Sequence, residues 1–230
     1  MASDSATNST ATDGSETDSG ETEGVTADSG VSGGSGADSG VRDKAPAVPE
    51  ECRSEVAYCE VRTEVQSGDI LCFKGKGWVS GAIRAMTRSE YSHVGLLYLF
   101  EGRKYCLEAV GHGVRLVLLS ELVKRYHGGI DYFELRGATT EQRRGAISFG
   151  FQQLGKLYDK AGIVRFFWYL VSGKKPAAPE DDIWFCSEMV CEAYRRQEVE
   201  LCPVSPSYTS PRDIARSERV TYRYTLKPDA

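Results

Sequence analysis

The stretch at residues 184–194 limits the choice of fold more than any other, because an apolar lead-in runs directly into a cysteine and then into a helix-like sequence. A thiol in the first turn of a helix faces unpaired backbone N–H groups and the positive end of the helix dipole, and both stabilise a thiolate. Cys186 therefore has the local setting of a nucleophile. The alternative is an inert buried cysteine, which is the commoner role for this residue type, so residues elsewhere in the chain must decide between the two.

The first 40 residues differ in composition from the remainder. They contain eight acids, no Lys or Arg and no aromatic residue, so the net charge of −5 for the whole chain leaves +3 for residues 41–230. Such a segment buries too little apolar surface to offset the entropy lost on ordering. We therefore predict a disordered acidic tail and linker over residues 1–50 and a single domain over residues 51–230. A solubilising leader and an interaction tail both remain open as the role of the tail.

The sequence also narrows the compartment and the partners. No signal peptide follows Met1, and no apolar run approaches the about 20 residues that span a bilayer, which favours a cytoplasmic protein. The seven cysteines form no Cys-x-x-Cys pair, so we expect reduced thiols and neither a disulfide scaffold nor a metal or other cofactor. The small charge of the body argues against nucleic-acid binding. The apolar stretch 163–171 suits an acyl chain or a membrane surface, and the oligomeric state stays open.

Apolar periodicity predicts short strands interleaved with helices. The predicted strands cover residues 60–66, 70–73, 94–100, 105–110, 113–118, 132–135 and 222–225, with a hairpin turn at 101–104. The predicted helices cover residues 78–86, with Trp78 on the apolar stripe; 120–125, with Ser120 as N-cap; 140–154, with Thr139 in a capping box; and 186–197.

A histidine and an acid complete a possible catalytic set with Cys186. His93 begins the strand before the turn, and its imidazole has a pKa of about 6.5 and two nitrogens, one for a nucleophile and one for an orienting partner. Glu108 is a lone acid in the returning strand. Antiparallel pairing brings it within reach of the imidazole, which it would orient. The alternatives are a core or rim histidine and a carboxylate on the solvent face.

Several short motifs occur in an order that points to a known family. They are Gly68-Asp69-Ile70-Leu71, Tyr91-Ser92-His93-Val94-Gly95, Leu107-Glu108-Ala109, Gly155-x-x-Tyr158-Asp159, Phe185-Cys186-Ser187-Glu188 and Ser210-Pro211-x-Asp213. In papain-type enzymes the cysteine precedes the histidine, whereas here His93 precedes Cys186, so a papain-like site requires a permuted chain. The sequence resembles the permuted NlpC-type papain-like cysteine hydrolases, the YiiX-like group.

This resemblance implies a fold and a set of site residues. The fold would be α+β, with an antiparallel sheet or partial barrel packed against the helix that contains the cysteine. Cys186 would be the nucleophile, His93 the base and Glu108 the residue that orients His93. Tyr158 and Ser187 would line the oxyanion and substrate site. Cys191 lies on another side of the helix and is predicted to belong to the core.

The resemblance also implies a thiol hydrolase that acts through an acyl-enzyme. A peptide-type amide is the first expectation for the substrate, which makes the protein an amidase or peptidase. A thiol acyltransferase or lipid hydrolase that acts on fatty acyl groups is the second, because the apolar stretch 163–171 suits such a substrate. A non-catalytic binding module on the same fold is the third.

Overall fold

The computed structural model describes residues 49–156, Ser172 and residues 185–229. The described residues belong to one compact unit that spans Arg42–Ala230. Nearly all of the predicted tail, Tyr158 and the apolar stretch 163–171 lie outside the described residues. Within the described part, no helix combines the length and the apolar character needed to cross a membrane.

Seven strands form one open sheet in the described part of the chain. They are β1 Glu55–Ala57, β2 Ile70–Gly75, β3 His93–Phe100, β4 Arg103–Val110, β5 Gly113–Leu118, β6 Gly128–Leu135 and β7 Val220–Lys227. Their order is β1-β7-β6-β2-β3-β4-β5. The β1–β7 pair is parallel and the others are antiparallel, so the predicted antiparallel sheet is confirmed for all pairs but one.

Six α-helices accompany the sheet in the same described ranges. They are α1 Tyr58–Val61, α2 Trp78–Thr87, α3 Leu119–Arg125, α4 Thr140–Gln152, α5 Cys186–Arg195 and α6 Pro211–Ala215. The capping box predicted for Thr139 is present at the start of α4, where its hydroxyl accepts from Gln142 N. A capping box also begins α6, where Ser210 and Asp213 cap each other.

Both faces of the sheet are covered, which explains the unbroken apolar run at the start of β2. Ile70 and Cys72 belong to the core cluster that includes α4 and α5. Leu71 and Phe73 point the other way, into the cluster that includes α1 and α3. Successive side chains of a strand face opposite sides, so a central strand buried on both faces must be apolar at every position.

The turn before β2 joins this strand to the cysteine helix and to its neighbours. Asp69 is fully buried, and its carboxylate accepts from Arg143 Nη1 of α4 at 2.7 Å and from Leu135 N of β6 at 3.0 Å. The carbonyl of Gly68 accepts from the hydroxyl of Tyr194 in α5. Gly68 has a φ of +86°, a conformation that favours glycine. The Gly68-Asp69 motif therefore has an architectural role.

The structure corrects three of the sequence predictions. Residues 60–66 are not a strand: α1 ends at Val61, and Val61 and Val65 are both buried while Thr63 is exposed, which matches a spacing of four and not of two. The N-cap of α3 is Leu118 and not Ser120. Trp78 does not lie on a buried stripe, because its side chain is 86% exposed.

Candidate active site

Cys186 is the first residue of α5, as predicted. Met189 is the residue whose N–H first bonds back along the helix, to Phe185 O at 3.0 Å, so the N–H groups of residues 186–188 precede the intrahelical ladder and point toward the helix start. The side chain of Cys186 is 5% exposed. It therefore lies at the positive end of the helix dipole and is shielded from bulk water.

The two residues after Cys186 attach the first turn of α5 to the chain at 205–210. Ser187 is fully buried, and its hydroxyl donates to Thr209 O at 2.5 Å. Glu188 accepts a hydrogen bond from the hydroxyl of Ser207. The Ser187 hydroxyl is thus occupied by a hydrogen bond within the protein. If Ser187 lines the oxyanion and substrate site as predicted, it does so through its backbone. Tyr158, the other residue predicted for that set, lies outside the described residues.

The structure brings His93 and Glu108 together. Leu96 pairs with Leu107 in the β3–β4 hairpin, so Glu108 lies diagonally across the ladder from His93, within reach of a long side chain. His93 Nε2 and Glu108 Oε2 are 2.7 Å apart. Gly95 lies between them on β3, and a Cβ there would be 3.3 Å from Glu108 Cβ. The missing side chain at residue 95 leaves the carboxylate free to reach the ring.

Cys186 also acts on the imidazole, because its interaction with His93 contributes to the pKa of that ring. Burial lowers the pKa of His93, but the negative charge and hydrogen bond of Cys186, together with those of Glu108, outweigh burial and raise this pKa to about 10. The imidazole is therefore protonated at neutral pH.

Arg115 is a member of this site that the sequence predictions missed. It lies on β5 directly opposite Glu108, and its Nε and Nη2 donate to Glu108 Oε1 at 2.9 and 2.7 Å. Glu108 is only 2% exposed. Burial raises the pKa of this carboxyl, but the hydrogen bonds and charges of His93 and Arg115 together lower it below its ordinary value. Glu108 therefore remains an anion despite its burial.

The remaining buried thiols differ from Cys186 in their surroundings. Burial raises the pKa of Cys72 and Cys106 well above the ordinary value. For Cys191 a hydrogen bond with Cys202 and then burial have the same effect. Cys191 is 5% exposed and belongs to the main core cluster, so its prediction as a core residue is confirmed.

Comparison with known proteins assigns the chain to a family. A family model described as permuted papain-like amidase enzyme, YaeF/YiiX, C92 family, matches residues 64–208. The chain belongs to this family. Two C92-type relatives in Escherichia coli K12 are similar in sequence: YiiX, 30% identical over 134 residues, and "Probable lipoprotein peptidase YaeF", 24% identical over 176 residues. These matches cover 56% and 66% of this chain, and 57% and 63% of the relatives' own lengths.

A solved structure supports the same fold for this C92 member. The crystal structure of YiiX from Escherichia coli O157:H7, described as a metalloprotein, matches with a TM-score of 0.56 and 22% identity. The match covers 71% of this chain and 98% of that one. The permuted papain-like fold predicted from the sequence is therefore confirmed. In the described part of the present chain, no three His, Cys, Asp or Glu side chains are grouped so that they could hold a metal ion.

Proposed function

We propose that this protein is a thiol-dependent amidase or peptidase in which Cys186 is the nucleophile, His93 the general acid and base, and Glu108 the residue that orients His93. The observation that supports this most is the hydrogen bond between the His93 ring and a buried, ionised Glu108, together with the interaction of Cys186 that raises the pKa of His93. Nucleophile, base and orienting acid in contact in this order are the arrangement that covalent acyl transfer requires.

The chemistry follows from the positions of these groups. The Cys186 thiolate attacks the carbonyl carbon of an amide, and the carbonyl oxygen becomes an oxyanion that the N–H of Cys186 stabilises at the start of α5. The C–N bond then breaks, the His93 imidazolium donates its proton to the leaving amine, and a thioester forms on Cys186. Water attacks the thioester while His93 accepts a proton. The carboxylic acid leaves, and the thiolate–imidazolium pair is restored.

A peptide-type amide is the substrate class we favour. The family is described as an amidase, and the relative YaeF is named as a peptidase. The acyltransferase or lipid hydrolase alternative depended on residues 163–171, which lie outside the described residues. It is therefore kept as an outcome of the substrate test below.

Alkylation of individual cysteines tests the proposal and requires no substrate. Iodoacetamide should modify Cys186 at pH 6 much faster than the exposed Cys52, because only the thiolate reacts. Cys186→Ala should abolish turnover of a panel of acylated peptides and lipid esters, and Cys191→Ala should not. Turnover confined to lipid esters would favour the alternative. Full activity in Cys186→Ala, or a Cys186 that reacts no faster than Cys52, would contradict the assignment.

A further inference from the structure

Arg84 has an unusual environment for a charged residue. It lies in α2, and its Nε is one of two buried side-chain nitrogen or oxygen atoms in the described ranges that have no hydrogen-bond partner. A guanidinium stays charged at all physiological pH values, and a buried donor without a partner costs about 1–3 kcal/mol. An unsatisfied group of this kind is typical of a site that awaits a ligand.

The helix directs Arg84 toward the region beside His93. Ser80 precedes it by four residues, so the two side chains lie on the same face of α2. A Cβ built on Gly75, at the end of β2, would collide with Ser80 Oγ and lie 2.8 Å from the hydroxyl of Tyr126. The face of α2 that contains Ser80 and Arg84 therefore lies next to the Tyr126 hydroxyl. Gly75 lies at this contact and leaves room for it because glycine has no side chain.

The contact between α2 and Tyr126 lies next to His93, the proposed general base. Gly75 N donates to Ser92 Oγ at 3.2 Å, and Ser92 directly precedes His93. The ring of Phe73 contacts both sides, with its centroid 5.0 Å from the His93 ring and 5.2 Å from the Tyr126 ring. Tyr126 and the His93 imidazole thus pack against the same aromatic ring.

The groups at this point are suited to an anion. Burial raises the pKa of Tyr126 to about 12, although a hydrogen bond with Ser92 and the nearby charge of Arg84 oppose this rise, so its hydroxyl is protonated at neutral pH and has a proton to donate. α2 contains no Asp or Glu, and Glu108, the acid of the catalytic site, is already bound by His93 and Arg115. A guanidinium and two hydroxyls match a carboxylate, which accepts hydrogen bonds through both oxygens.

We infer that Arg84, together with the hydroxyls of Ser80 and Tyr126, forms a subsite that binds a carboxylate of the substrate while its amide carbonyl lies at Cys186. The substrate would then be an amide with a free carboxylate close to the scissile bond, such as a short peptide cleaved near its C-terminus. This inference rests on the proposed nucleophile and adds a determinant of substrate choice.

Two alkylating reagents that differ in charge test the subsite in the full-length protein. Iodoacetate and iodoacetamide are similar in size, and only the first has a carboxylate. At pH 7 the ratio of their rate constants, iodoacetate over iodoacetamide, should be higher at Cys186 than at the exposed Cys52 of the same molecules. Arg84→Gln should lower the ratio at Cys186 at least about fivefold, which corresponds to about 1 kcal/mol, and leave the iodoacetamide rate within about twofold. Arg84→Lys should keep part of the preference.

Arg88→Gln is the matched control, because Arg88 is an exposed cation four residues further along the same region and should not change the ratio. An unchanged ratio in Arg84→Gln, or an equal fall in Arg88→Gln, would overturn the inference.

A binding measurement separates failure of the subsite from failure of the proposed nucleophile. In Cys186→Ala, calorimetry should detect binding of an N-acetyl dipeptide that has a free C-terminal carboxylate. The same dipeptide with a C-terminal amide should bind more weakly or not at all. The double variant Cys186→Ala with Arg84→Gln should no longer bind the dipeptide acid. Equal behaviour of acid and amide would refute the subsite even if Cys186 proves reactive. A preference for the acid that depends on Arg84 would support it even if Cys186 proves inert. Displacement of the peptide acid by inorganic phosphate at equal concentration would show a general anion site and would also overturn the carboxylate assignment.

Discussion

Replacement of Glu108 by glutamine should lower the pKa of His93 while leaving the shape of the site intact. Glu108 lies 2.7 Å from His93 Nε2 and is nearly fully buried. Glutamine has the same length and still offers an oxygen to the ring N–H, but it lacks the charge. Arg115 would lose its partner, and since its side chain is 50% exposed, water can solvate the freed guanidinium.

The size of the change follows from the strength of this contact. A hydrogen bond to a charged group is worth about 1.5–3 kcal/mol, roughly twice a neutral one, so loss of the charge should cost the imidazolium about 1 kcal/mol. One pKa unit corresponds to about 1.4 kcal/mol. The pKa of His93 should therefore fall by about one unit from the wild-type value of about 10. The Cys186 contribution persists, so the pKa should not return to 6.5.

Nuclear magnetic resonance of the histidine rings measures this directly. The chain has three histidines, and His112 and His127 are exposed whereas His93 is not, so substitution of each histidine in turn assigns the three ring signals. The pKa of His93 is about 10 in the folded protein and 6.5 without these partners. Protonation of His93 therefore stabilises the fold fully below about pH 6.5, and this contribution is lost as the pH rises through about 10. The loss of stability with rising pH should be smaller in Glu108→Gln.

The control is Glu134→Gln, which removes another acid that pairs with an arginine, Arg223 at 3.7 Å, on the β6–β7 strands. It should leave the titration of His93 unchanged. The reasoning fails if wild-type His93 titrates near the ordinary value of 6.5, or if Glu108→Gln leaves its pKa unchanged.

Three further substitutions test separate parts of the arrangement. Gly95→Ala introduces a Cβ 2.6 Å from Cys106 Sγ and 3.3 Å from Glu108 Cβ and should cost about 1–3 kcal/mol by overpacking, seen in urea unfolding and in slower alkylation of Cys186; wild-type behaviour in both would disprove the crowding. Tyr194→Phe removes the hydroxyl that donates to Gly68 O and should reduce the free energy of unfolding by about 1 kcal/mol, and an unchanged urea midpoint would contradict this. Arg115→Gln should raise the pKa of Glu108, followed by carboxyl carbon resonances, and cost about 1 kcal/mol or less because Arg115 is half exposed; a larger effect than that of Glu108→Gln would show that Arg115 has another role.

The His93–Glu108 contact was predictable because the length of a hairpin turn determines which residues of the two strands lie opposite each other. Arg115 was predictable by the same rule, although it was missed. The second turn pairs Val110 with Gly113, and counting outward from this pair places Arg115 opposite Glu108. Short antiparallel connections leave little freedom in register, so the sequence determines this half of the site.

The predictions that failed depended on packing between distant segments. Trp78 has the spacing of a buried residue, yet α2 exposes it, because the spacing of apolar residues shows that one side is apolar and not which side is covered. Ser120 is a good N-cap, but the fully buried Leu119 is already in the helix, so packing moved the helix start. Arg84 stood out only when its surroundings were known.

The order of the site residues along the chain has a consequence for biosynthesis. His93, Glu108 and Arg115 lie within one run of adjacent strands, β3 to β5, whose contacts are local, and local contacts form fast. The cysteine helix joins later through a contact that spans 126 residues, from Tyr194 to Gly68. A ribosome that extends the chain from its N-terminus therefore releases the His93–Glu108 pair well before Cys186. If Cys186 is the nucleophile as proposed, the nascent protein should have no activity until α5 emerges and packs against the sheet.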